Sequence, residues 1–143
     1  MLLRTAAAAV AWLGVALIGV MPVAAEEQPR IAYWLHCAGC HGLEGRGAPP
    51  DVPTLVDVPG RIAALPGGRE YLVRVPGVSQ AALSDERLAA VVNYMLTEFS
   101  ADSLQAGFIP YTAAEIGRNR ANSLTDPLKT RHELLQAAGR ESP

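Results

Sequence analysis

Cys37-Ala38-Gly39-Cys40-His41 decides how this chain is read, because it holds the only two cysteines of the 143 residues and one of the three histidines. Two thiols separated by two residues and followed at once by an imidazole admit few chemistries. A structural zinc site wants four Cys or His ligands drawn from two clusters, and outside the motif the chain offers only His36 and His132. His36 and Cys37 are adjacent and do not easily share one tetrahedral site. A thioredoxin-like redox dithiol belongs where a strand meets a helix in a βαβ chain, whereas the residues before Cys37 read as helix.

The remaining chemistry lacks no part. Two thiols on one helical turn can add across the two vinyl groups of a single porphyrin, and the spacing C-x-x-C-H is that of a c-type haem attachment site. The histidine directly after the second cysteine then stands under the iron as proximal ligand. The sequence therefore predicts one covalent haem c per chain, anchored by Cys37 and Cys40 with His41 on the iron. The dithiol and metal readings stay as alternatives.

The N-terminus agrees on compartment. Met1-Leu2-Leu3-Arg4 is a charged start, Ala6 to Val20 is apolar, and Val23-Ala24-Ala25 is a small-residue cleavage site before Glu26-Glu27. That pattern reads as a secretory signal over 1–25 and predicts a periplasmic protein. An uncleaved anchor is the other reading, since no charge interrupts residues 5 to 25 and that length spans a bilayer; membrane association follows only in that case. Pro22 breaks the helix just before the cleavage site, which favours cleavage. Without residues 1–25 only Arg4 is lost from the charges, leaving 118 residues with 11 basic against 14 acidic side chains. That is one small domain, and its mild acidity argues against nucleic acid as a partner.

The rest of the chain reads as helices without a period-two strand pattern. Ile31, Trp34 and Leu35 form the apolar face of a first helix over 28–40 that delivers the motif at its end. Gly45 to Gly60 carries four prolines and three glycines and reads as an irregular loop. One turn over 61–65 and a short helix over 70–75, ended by Pro76-Gly77, follow. Ser84 caps the best helix, with Asp85 and Glu86 in its first turn and Leu88, Val91, Val92, Met95 and Phe99 on one stripe. Beyond Ser100 the character turns polar. Thr112-Ala113-Ala114-Glu115 is a capping box, and Asp126-Pro127 opens a last helix with Leu128, Leu134 and Leu135, closed by Gly139. The division is thus a signal over 1–25, a domain over 26–100 and a helical extension over 101–143 that packs back on it.

With the motif closing a first helix and Asn93-Tyr94-Met95-Leu96 inside a capped one, residues 30 to about 100 resemble the small monohaem class I cytochromes c. The resemblance implies an all-α cytochrome c-like fold of a few short helices around one covalent haem. It implies that the first and last helices of the domain cross with Tyr94 as the aromatic at the crossing. It also implies that the carbonyl of Pro53, twelve residues after His41, accepts a hydrogen bond from the His41 Nδ1, which fixes the tautomer and leaves Nε2 for iron. Otherwise Pro53 is one more proline of a proline-rich loop.

The chain departs from that family on the other side of the iron. The sixth ligand there is usually a Met in the loop before the last helix, and here that loop, Pro76-Gly77-Val78-Ser79-Gln80-Ala81-Ala82-Leu83, has none. Met95 is the one methionine after the signal and is a candidate distal ligand, although a Met on an apolar helix face is commonly core. His132, Lys129 and an open or water-bound site are the alternatives, with Gln80 and Ser79 as polar neighbours of an open site. Arg69 and Arg74 are candidates for the haem propionates, or else solvated helix-face cations. The function expected is single-electron transfer by a haem carrier rather than an enzyme, between a donor such as a periplasmic dehydrogenase and another redox protein. A five-coordinate haem enzyme or ligand sensor, and a haem subunit of a larger dehydrogenase, are the alternatives.

Overall fold

The computed structural model describes residues 28–141, with side chains through residue 137, so the signal segment 1–25 lies outside the described residues. Among the described residues there are eight α-helices and no strand. They are α1 Pro29–His36, α2 Ala38–His41, α3 Val58–Ala63, α4 Gly68–Arg74, α5 Pro76–Ser79, α6 Asp85–Phe99, α7 Ala113–Arg120 and α8 Pro127–Glu141. The domain is all-α, as the sequence implies.

α6 packs directly against α1 and α7. Ser84 Oγ accepts from the Arg87 amide at 3.3 Å, which satisfies one of the unpaired first-turn donors. Leu88, Val91, Val92, Met95 and Leu96 are all buried, so the apolar stripe faces the core; Phe99 is half-buried at the end of the same face. α1 packs across α6 through an aromatic cluster. The Tyr33 ring lies 6.0 Å from that of Tyr94 and 5.0 Å from that of Phe99, separations at which aromatic pairs attract beyond simple burial.

That crossing sets the buried face of α1, and it is not the expected one. Ala32 and Tyr33 are buried, whereas Trp34 is 42% and Leu35 68% exposed, with the Arg30 guanidinium 4.9 Å above the Trp34 ring. A helix of two turns is too short for its periodicity to choose between neighbouring faces. Three boundaries also differ. Pro76-Gly77 opens α5 rather than merely ending α4, because Val75 is extended before the proline and proline is well suited to a first helical position. Val58 to Gly60 is helical although the loop composition speaks against it. α8 runs through Gly139 to Glu141, since glycine weakens a helix interior without necessarily ending it.

The C-terminal segment shares the core of the helices before it. Tyr111 and Ile116 are buried in the same cluster as Val73, Leu88 and Val92. Asn93 binds the Tyr111 backbone in both directions, donating to its carbonyl at 2.9 Å and accepting from its amide at 2.8 Å. Thr112 caps α7 by accepting from the Glu115 amide at 3.2 Å. Glu115 does not close the capping box, because its carboxylate takes a two-point bond from Arg69 at 2.8 and 2.7 Å. Asp126 Oδ1 caps α8 on the Lys129 amide at 2.9 Å.

One side chain of α7 fixes the segment between α5 and α6. The Arg120 guanidinium donates to the carbonyls of Ser79 (3.1 Å), Ala81 (2.5 Å) and Leu83 (2.8 Å) and to the Asp85 carboxylate (3.1 Å). Its side chain is 19% exposed, so water cannot fully replace those bonds. Arg120→Ala should lower the unfolding free energy by about 2–3 kcal/mol, the range for losing charge-assisted bonds and stranding their acceptors, read as a shifted denaturant midpoint at unchanged slope.

Candidate haem-attachment site

The motif sits where two short helices meet. α1 ends at Cys37, whose φ of −126° leaves the helical region, and α2 restarts at Ala38. The break is shallow, because the amides of Cys37 and His41 still reach the carbonyls of Tyr33 (2.8 Å) and Cys37 (3.1 Å). Both thiols are therefore carried on nearly continuous helical backbone. They are free, Cys37 half-buried and Cys40 exposed. Gly42 closes α2 at φ 72°, and its carbonyl accepts the Tyr33 hydroxyl at 2.6 Å.

His41 is also held through its ring. Its Nδ1 lies 3.1 Å from the Pro53 carbonyl, the contact that the resemblance implies for a proline at that position. A carbonyl can only accept, so Nδ1 carries the proton and Nε2 keeps its lone pair. Burial pushes the imidazole below its usual pKa, against an opposing upward pull from the Pro53 carbonyl, so the ring is neutral near pH 7. A neutral imidazole with a free, oriented Nε2 is a metal-ligating group. Together with two free thiols on the same turn, this is the donor set that a covalently attached haem requires.

The loop from 42 to 57 exists in a shape that brings Pro53 to His41. The Gly47 amide donates to the His41 carbonyl at 2.8 Å, and Ala48 and Val52 exchange backbone bonds at 2.9 and 3.0 Å. Gly47 has φ 68°, and a Cβ there would stand 2.5 Å from the Val52 carbonyl oxygen and 2.7 Å from that of Pro53. Leu55 N donates to Gly45 O at 2.7 Å, and Ser100 Oγ bonds Leu55 O at 2.8 Å, tying the far end of the loop to the end of α6.

The other sequence candidates fall in different places. Met95 is 9% exposed and packs in the main core. His132 lies on α8 with its Nε2 2.7 Å from Gln136 Nε2. His36 is exposed, and Lys129 pairs with Glu133 at 3.9 Å. Ser79 and Gln80 reach Ser123 Oγ at 2.9 and 3.5 Å. Arg69 and Arg74 are half-buried and engaged within the fold: Arg69 holds Glu115 and the Ile109 carbonyl (2.8 Å), and Arg74 donates to the Asn122 carbonyl at 2.7 Å. Among the described residues no group of three or more His, Cys, Asp or Glu side chains gathers as a metal site.

The sequence reading does not mark Tyr33. It is fully buried, and its phenol pKa is pushed up to about 12, chiefly by burial. Its position four residues before Cys37 places both on one helix face, and that spacing is the signal that could have found it.

Comparison with known proteins gives two relatives and no matching family model. One cytochrome c-552 of Thermus thermophilus is 35% identical over 127 residues, covering 76% of this chain and 84% of the relative. A second cytochrome c-552 of Thermus thermophilus is 37% identical over 110 residues, covering 64% of this chain and 84% of the relative.

Gly47→Ala tests the His41 brace. A left-handed backbone without glycine and a methyl against two carbonyls should cost at least about 1–3 kcal/mol. The Nδ1 proton of His41, followed by NMR, should exchange with water faster than in the parent protein.

Proposed function

The chain belongs to the small c-type cytochromes and carries covalently bound haem c, and we propose that it works as a periplasmic carrier of single electrons. One observation carries the residue assignment: Cys37, Cys40 and His41 share one turn, and Pro53 leaves His41 Nε2 free while holding its ring. The haem supplies reversible one-electron chemistry at its iron.

The chain's own residues do the positioning. Cys37 and Cys40 hold the macrocycle through thioether bonds, and His41 offers Nε2 to the iron with its ring fixed by Pro53. A ring that cannot swing keeps its ligand geometry when the iron's charge changes, which lowers the reorganisation that electron transfer requires. Tyr33, bonded to the carbonyl of Gly42, closes the motif against the aromatic cluster at the α1–α6 crossing. The partners are redox proteins; a periplasmic dehydrogenase as donor is proposed by analogy with the family. The secretory pattern of residues 1–25 supports export, and among the described residues no helix is long and apolar enough to cross a membrane.

The segment 76–83 favours a second reading. It contains no Met, His, Lys or Cys, and Arg120 fixes it by three of its carbonyls. With Met95 in the core, the sixth position of the iron would be left to an external ligand, which is the arrangement of a ligand sensor or peroxide-reactive haem protein.

The ferric spectrum of the haem-loaded protein separates the two. A low-spin spectrum with reversible one-electron titration supports the carrier; a high-spin spectrum that carbon monoxide or cyanide alters in the corresponding oxidation state supports the second reading. Met95→Ala should cost about 2–4 kcal/mol as a core truncation and leave the ferric bands where they are. Loss of the charge-transfer band of methionine-ligated ferric haem would instead identify Met95 as the ligand.

A further inference from the structure

Gly42 is the residue directly after His41, and no packing holds it. Its φ is 72°, and a Cβ built there would meet nothing within 4 Å. A glycine in that setting keeps its conformational freedom unless its polar groups are tied down. Its amide donates to the Ala38 carbonyl at 2.8 Å. Its carbonyl takes the Gly45 amide at a long 3.3 Å and the Tyr33 hydroxyl at 2.6 Å. The phenol therefore supplies the short bond that aims this peptide.

The hydroxyl needs a reason to be there. Tyr33 is fully buried and packs against Tyr94 and Phe99, and a phenylalanine would offer the same ring to both. Taking an O–H out of water costs free energy that only a hydrogen-bond partner returns. Burial pushes the phenol up to about 12 while the Gly45 backbone pulls the other way, so the group is a donor at neutral pH. Its acceptor is the Gly42 carbonyl. Phe99 extends the contact along the loop, since a Cβ on Gly45 would stand 2.9 Å from its ring. The α1–α6 crossing thus grips residues 42 and 45. The far end of the same loop returns to α6 through the Asp57 amide, which donates to the Phe99 carbonyl at 2.8 Å.

What this grip controls is the backbone on which the imidazole rides. The His41 carbonyl is fixed by the Gly47 amide at 2.8 Å, and Tyr33 fixes the next carbonyl along. With both peptides aimed, the ring keeps its Nδ1 at 3.1 Å from the Pro53 carbonyl. A firm bond at Nδ1 makes Nε2 the stronger donor, and donor strength at the proximal position is a lever on the potential of the iron. We propose that Tyr33 is a positioning residue for His41: its hydroxyl, acting through the Gly42 carbonyl, holds the Nδ1 bond to Pro53 and so sets the donor strength of the proximal ligand. This role rests on the haem reading of Cys37, Cys40 and His41. Its first link, from Tyr33 to His41 Nδ1, belongs to the polypeptide alone.

Tyr33→Phe in the full-length, haem-loaded protein tests the role, because the ring and its aromatic contacts stay while the hydroxyl goes. Covalent haem content is scored first by pyridine haemochrome, so a failure of the haem reading is recorded separately. The exchange of the His41 Nδ1 proton is followed by NMR whether or not haem is retained. It should be about two- to tenfold faster than in the parent protein, the factor that one net hydrogen bond is worth. The midpoint potential should rise, because a weaker proximal donor favours the ferric iron less. A ring-fluorinated tyrosine placed at position 33, a stronger donor of nearly the same shape, should move both readouts the other way and decides the outcome if Tyr33→Phe does not accumulate. A lower denaturant midpoint with exchange and potential at parental values would assign the hydroxyl to packing alone and overturn the proposal. A potential that falls in Tyr33→Phe overturns it as well.

Discussion

The hydrogen bond between His41 Nδ1 and the Pro53 carbonyl is the constraint on which the site depends. At 3.1 Å it assigns the ring proton, and with it the nitrogen that remains for the iron. A histidine placed only by its neighbours on the chain would rotate about its own side-chain bonds. The loop from 42 to 57 prevents this, and its composition is explained by that task. Glycine at 47 lets the backbone pass against the carbonyls of Val52 and Pro53. A proline at 53 restricts its own φ and the residue before it, so the backbone leading to that carbonyl has fewer conformations to choose from. Leu55 then ties the loop to Ser100 at the end of α6.

The second feature of the molecule is how arginines bind the C-terminal extension to the rest. Arg69 and Arg74 reach from α4 to residues 109, 115 and 122, while Arg120 reaches back from α7 to 79, 81, 83 and 85. Many of these bonds end on backbone carbonyls, groups that an irregular segment would otherwise leave unpaired as it packs. Stacking reinforces them, with Arg69 4.0 Å above the Tyr111 ring. The partly buried, multiply bonded guanidinium groups of Arg69 and Arg120 contrast with the exposed Arg46–Glu44 pair, which contributes little. The segment between α5 and α6 is thus shaped from outside by the extension as much as by its own sequence.

What could be read from the sequence was local. The spacing of Cys37, Cys40 and His41, the cap at Ser84, the stripe on α6 and the caps of α7 and α8 each depend on residues close together along the chain. The buried face of α1 depends on α6, which lies far along the chain, and two turns of helix could not show it. Arg69 and Arg74 look like free cations for the same reason, because their acceptors lie 40 to 48 residues further on. Pro53 is the instructive intermediate case. Its distance from His41 is too long for a pattern argument, and it is legible only through resemblance to a family in which that contact recurs.

The central claim is that the haem is bonded to the chain through Cys37 and Cys40, and mass spectrometry of the acid-acetone-extracted protein tests it most directly. The account expects the intact chain to retain the mass of one haem, with the fragment containing residues 37–41 carrying it. A chain that leaves the extraction at its bare polypeptide mass, with both thiols free to alkylate, would contradict it.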